Sequence, residues 1–110
     1  MNSELPHLVG LAVQDLKREL QELYGHRLKS VMLYGSYARG DYHDASDIDV
    51  LVVLSGAVNT SDEISRISFL ASEVCLRHNV LISILPVSQG WIVAHPGPFS
   101  ENIRREAVRL

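Results

Sequence analysis

Two aspartates one residue apart, Asp47 and Asp49, open an apolar run that continues to Leu54. A strand alternates its faces, so both carboxylates point one way while Ile48 and Val50 point the other. About 7 Å of backbone separates them at ~3.3 Å per residue, and like charges at that range repel. A cation removes that cost, and hard divalent ions such as Mg²⁺ take carboxylate oxygens while keeping waters and substrate phosphates. Upstream stand Gly35 and Ser36, separated from Asp47 by ten residues. Glycine after a strand lets the backbone approach a ligand closely. A serine opening a short helix offers its hydroxyl and nearby N–H groups to a phosphate. A phosphate cradle and a carboxylate pair at one end of two neighbouring strands suit phosphoryl-type transfer, in which divalent ions clamp the attacking and leaving oxygens.

Hydrophobic spacing predicts the elements that must position these residues. Leu5, Leu8, Ala12, Leu16, Leu20 and Leu23 recur at helical steps, with Ser3 as N-cap, Pro6 in the first turn and Gly25 as the stop. Ser30 to Tyr34 reads as a strand, and Asp47 to Leu54 as a second, apolar enough to be covered on both faces. Thr60 and Glu63 stand in capping-box spacing before a helix striped by Ile64, Ile67, Ala71 and Val74. Val80 to Val87 is a third strand. After a break at His95-Pro96-Gly97-Pro98, a last helix carries Phe99, Ile103, Ala107 and Leu110. The order implies an α/β (α+β) fold with one small sheet flanked by helices, and a single domain over residues 1–110.

Composition narrows the class. The chain of 110 residues is 46% hydrophobic, enough for one core without staples, and its net charge of −3 argues against a general nucleic-acid binder. No stretch approaches the ~18 apolar residues of a membrane span. The one cysteine, Cys75, reads as a small buried apolar residue, and a lone thiol fits a reducing cytoplasm. The five histidines show no zinc-ligand pairing.

The stretch GSYARGDYHDASDIDVLVV, residues 35–53, carries a more specific signal. Gly35-Ser36, ten residues, then Asp47-x-Asp49 resembles the signature of the DNA polymerase β-like nucleotidyltransferase superfamily. Its G-S-x-A-R-G and S-D-I-D elements are similar to those of the minimal nucleotidyltransferase (MNT) group. The resemblance implies a small mixed sheet flanked by helices and transfer of a nucleoside monophosphate from an NTP, with ATP the expected donor, to a hydroxyl. It implies that Gly35 and Ser36 hold the triphosphate, that Asp47 and Asp49 bind Mg²⁺, and that Arg39 pairs with a phosphate or a carboxylate. Many such proteins are antitoxins encoded beside HEPN-domain ribonuclease toxins, which some members silence by adenylylating a tyrosine. A HEPN toxin is therefore the expected partner, and AMP transfer the expected reaction. Active members of the superfamily generally carry a third carboxylate on a later strand. The matching run, NVLISILPV, has none, Asn79 and Ser83 being its only polar side chains. The alternative is an antitoxin that keeps nucleotide and metal binding and acts with little or no turnover.

The remaining polar residues carry plainer expectations. Asp41, His43 and Asp44 read as solvated loop. Tyr37 and Tyr42 flank the site and suit either edge packing or base stacking. Trp91 and Phe99 read as burial beneath the last helix, and Arg104, Arg105 and Arg109 as its basic face.

Overall fold

The computed structural model describes residues 5–94 and 97–110, with Ile92 and Val93 described by backbone alone. The expected N-cap Ser3 and the His95-Pro96 half of the break lie outside the described residues. Four strands, β1 (Leu28–Tyr34), β2 (Ile48–Leu54), β3 (Ile82–Ser88) and β4 (Val108–Arg109), form one sheet in the order β3-β2-β1-β4. The β2–β3 pair is parallel and the other two pairs are antiparallel. The sheet is therefore mixed, as expected.

Helices α1 (His7–Tyr24) and α3 (Thr60–His78) pack on one face. They bury Ala12, Leu16, Leu20, Ile67 and Val74 against Ile48, Val50, Val52 and Leu54. The opposite face of β2 presents Asp49, Leu51 and Val53. There Leu51, Val53, Val87 and Ile103 make a second cluster beneath α5 (Pro98–Glu106), joined by Trp91 from α4 (Trp91–Ala94). With apolar partners on both faces, β2 is buried at every position but Asp49.

Several sequence expectations are corrected in detail. Helix α1 starts after Pro6, and its inward stripe is Val9, Ala12, Val13, Leu16, Leu20 and Tyr24, while Leu8 and Leu23 face outward. The N-cap of α3 is Asn59, whose side chain accepts the Asp62 N–H at 3.0 Å, so Thr60 is already helical. Glu63 is no capping partner; its carboxylate is buried. The last helix ends at Glu106, and residues 108–109 become an edge strand on β1, with Leu33 opposite Val108 and Met32 opposite Arg109. Cys75 is only partly buried. Pro86 sits where a strand tolerates it. Leu81 C=O accepts from Ile48 N–H and Gln89 N–H donates to Leu54 C=O, so odd-numbered residues of β3 face β2 and the absent N–H of Pro86 belongs to the free edge.

Two buried acids join α1 to α3. Glu63 accepts the Tyr24 hydroxyl at 2.6 Å and Arg27 Nη1 at 3.3 Å. The Tyr24 hydrogen bond, followed by Arg27, holds the Glu63 carboxyl below its ordinary range, while burial and the same contact push Tyr24 up. Asp15 lies within reach of His78 Nε2 at 2.9 Å and also pairs with Arg77 and Arg18. The His78 contact, then the arginines, lowers its pKa from 3.8 to about 2 against the opposing effect of burial. A depressed folded-state pKa adds stability above the unfolded value, and that stability disappears as pH falls through the folded one. Asp15→Asn should therefore cost about 1–2 kcal/mol near neutrality, moderated because Arg18 and Arg77 are half-exposed. Urea titrations of both proteins should show that difference vanish between pH 4 and pH 2; a difference independent of pH would contradict the assignment.

Candidate active site

β1 delivers the chain to Gly35, which adopts φ +75° and caps α2 (Ser36–Arg39), a single turn. The Ala38 and Arg39 N–H groups return to the Gly35 carbonyl at 3.1 and 3.0 Å. The first-turn N–H groups of Ser36 and Tyr37 have no partner within such a helix. At Gly40, φ is +88° and the chain turns away. Across the antiparallel ladder Tyr34 pairs with Asp49, so the start of β2 lies beside the end of β1.

That register brings the Asp49 carboxylate directly over Gly35. A Cβ built on Gly35 would overlap Asp49 Oδ2 and stand 3.1 Å from its Cγ. Asp49 is part-buried, and its pKa is raised by desolvation first and by the negative charge of Asp47 second, with Arg39 opposing. Asp47 itself is exposed and lies one residue before β2, which starts at Ile48. The five sequence-predicted residues Gly35, Ser36, Arg39, Asp47 and Asp49 thus meet at one end of the sheet. Two carboxylates suit a hard cation that completes its shell with water and phosphate, and the N–H groups at the start of α2 suit the phosphate itself. Among the described residues no group of three or more His, Cys, Asp or Glu could hold a metal alone. The residue opposite Asp49 on β3 is Ser83, exposed and on the same face, so no third acid stands there.

The neighbouring residues are resolved in kind. Tyr37 is buried and stacks on Tyr42 with ring centres 4.3 Å apart, which assigns both to packing. Arg39 Nε donates to Asp41 at 3.1 Å and its Nη1 to Glu106 at 3.2 Å. Asp41, His43 and Asp44 are exposed, and His43 Nδ1 accepts the Ala45 N–H at 3.2 Å inside the loop. Phe99, on α5 itself, touches Tyr34 and Trp91 edge-on at 5.8 and 5.9 Å and is 43% exposed rather than buried. Arg109 belongs to β4, not to the last helix. Sequence reading passed over Glu106, whose only sequence signal is an acid at a helix C-terminus, where the dipole disfavours it.

Residues 13–89, from α1 through β3, match the family described as nucleotidyltransferase domain. The chain belongs to that family, and the nucleotidyltransferase resemblance of residues 35–53 is borne out. Two relatives from Methanocaldococcus jannaschii are named "Putative protein adenylyltransferase", MJ0141 and MJ0604. The first is 37% identical over 71 residues, 64% of this chain and 71% of the relative. The second is 36% identical over 78 residues, 71% and 72% respectively. Among solved structures, the fold is similar to a "putative nucleotidyltransferase from Sulfolobus solfataricus", with TM-score 0.59 and 22% identity over 99% of this chain and 90% of that one. It is also similar to a chain of a "toxin-antitoxin with AMP-PNP", with TM-score 0.61 and 21% identity over 87% and 69%. The polymerase β-like fold expected from the sequence is the one observed.

The Gly35–Asp49 contact yields a paired test. Gly40→Ala places its Cβ in open space and meets only the left-handed backbone cost, about 1 kcal/mol. Gly35→Ala adds the overlap with Asp49 and should cost about 2–4 kcal/mol in chemical denaturation. Equal losses at the two positions would show that Asp49 yields without strain.

Proposed function

We propose that the chain is a Mg²⁺-dependent protein adenylyltransferase, a cytoplasmic antitoxin that moves AMP from ATP to a hydroxyl of a HEPN-type toxin. The observation that carries this reading is the Asp49 carboxylate seated over Gly35 with Asp47 beside it. The names of the relatives support AMP transfer to protein, and the fold shared with the toxin–antitoxin chain supports the partner class. Residues 1–110 would act as one nucleotidyltransferase domain.

In this reading Asp47 and Asp49 hold Mg²⁺, which supplies charge neutralisation on the triphosphate. The N–H groups and hydroxyl at Ser36 orient the phosphates, and Gly35 lets them approach the backbone. The acceptor oxygen bonds to the α-phosphorus, the bond from the α-phosphorus to the bridging oxygen breaks, and pyrophosphate departs. Ser83, opposite Asp49, is a poor base at neutral pH and β3 carries no carboxylate, so the acceptor proton passes to solvent water. A protein acceptor also suits the surface: a 520 Å³ apolar groove between α3 and β3 exposes Leu76 and Leu81. It shares both with a 720 Å³ cleft lined by Tyr42, His43 and Ser46, in the loop that leads to Asp47.

Incubation with labelled ATP, Mg²⁺ and the product of the neighbouring gene should label that product, and Asp49→Asn should abolish the label. Burial and Asp47 raise the Asp49 pKa, so ionised Asp49 destabilises the metal-free fold as pH rises through that pKa. Asp49→Asn should accordingly raise the melting temperature at pH 7 in chelator, while Mg²⁺ with ATP should stabilise only the wild type. A second reading, antitoxin action by masking without transfer, rests on Ser83 opposite Asp49. A variant lacking both aspartates that still silences the toxin stoichiometrically would favour it.

A further inference from the structure

We propose that Glu106 is a positioning residue that anchors the Arg39 guanidinium at the Gly35-Ser36 turn, so that the C-terminal α5–β4 segment completes the nucleotide site. The inference rests on the reading that ATP binds at Gly35-Ser36, and it concerns a residue outside the family match over 13–89.

Backbone constraints fix Glu106 from both sides. Ile103, one turn earlier, is buried in the second apolar cluster, and Ala107 N–H closes the helix on the Ile103 carbonyl at 2.9 Å. Two residues later Val108 pairs with Leu33 on β1. The Glu106 carboxylate, 19% exposed, receives Arg39 Nη1 at 3.2 Å, while Asp41 receives Nε at 3.1 Å. Two acids therefore grip two donors of the guanidinium and leave Nη2 for a further acceptor.

Helix physics does not favour an acid here. The last turn of α5 carries Arg104 and Arg105, as the negative end of the helix dipole prefers, and Glu106 at the terminus opposes that field. Its ion pair with Arg39, 67 residues away, offsets the penalty. Arg39 ends the single helical turn that Gly35 caps and Ser36 opens, and its N–H returns to the Gly35 carbonyl at 3.0 Å. The side chain is thus carried by the same turn as the proposed phosphate cradle. An unanchored arginine at this exposed turn would sample many rotamers, and ordering it on binding would weaken affinity.

The test measures binding of Mg²⁺ with AMP-PNP, separately from AMP transfer. Glu106→Gln should weaken binding about two- to fivefold, the range for a part-exposed ion pair, and raise the KM for ATP similarly with kcat nearly unchanged. Glu106→Asp should recover part of the loss. In an Arg39→Ala background, Glu106→Gln should add nothing. A lowered melting temperature with unchanged affinity would make Glu106 a structural staple only and overturn the proposal. The same fold-loss with and without Arg39 would overturn it too. If the wild type itself binds no AMP-PNP, the nucleotide reading fails first, and that outcome is distinct from wild-type binding that Glu106→Gln leaves intact.

Discussion

The carboxylate of Asp49 occupies the space that any side chain on residue 35 would need. This close approach constrains everything around it. It requires glycine at the end of β1, in a positive-φ conformation that turns the chain at once into α2. It requires the antiparallel register in which Tyr34 faces Asp49, because a slip of one residue would turn the carboxylate to the other face of the sheet. It also leaves an acid part-buried beside another acid, and burial with that neighbouring charge raises the pKa of Asp49.

The sheet tolerates that local cost because β2 is otherwise fully buried. One face is covered by α1 and α3 and the other by the cluster beneath α5. The two helices are tied by buried acids, Asp15 and Glu63, each satisfied by partners from both helices or from the turn between α1 and β1. Among the described residues no buried side-chain polar atom lacks a partner.

Much of the site could be read from residue order because its chemistry is local. Gly35, Ser36, Asp47 and Asp49 lie within fifteen residues, and the types needed for a phosphate turn and a carboxylate pair are few. Helix α1 was harder: Leu8, Leu11 and Leu23 are as apolar as Val9 and Val13, and only contact with the sheet selected the inward stripe. The start of α3 was ambiguous because asparagine and threonine both cap. The extended backbone at Asn59 decided between them. Residues 107–110 continued a helical spacing, but Val108–Arg109 instead became an edge strand, because the edge of β1 offered unpaired backbone groups that the short tail could satisfy.

From its sequence alone the chain determined the fold class, the motif and the nucleotidyltransferase family, since these follow from periodicity and from residues close together along the backbone. Only the tertiary structure decided that Ser83 stands opposite Asp49, that Tyr37 stacks on Tyr42, and that Glu106 reaches Arg39. The last two pairings depend on side-chain packing, and the first on strand register. Glu106 and Arg39 are brought together by the β4–β1 pairing and the burial of Ile103, contacts between segments far apart in sequence. No local pattern encodes such a meeting, because its position is set by how the layers close.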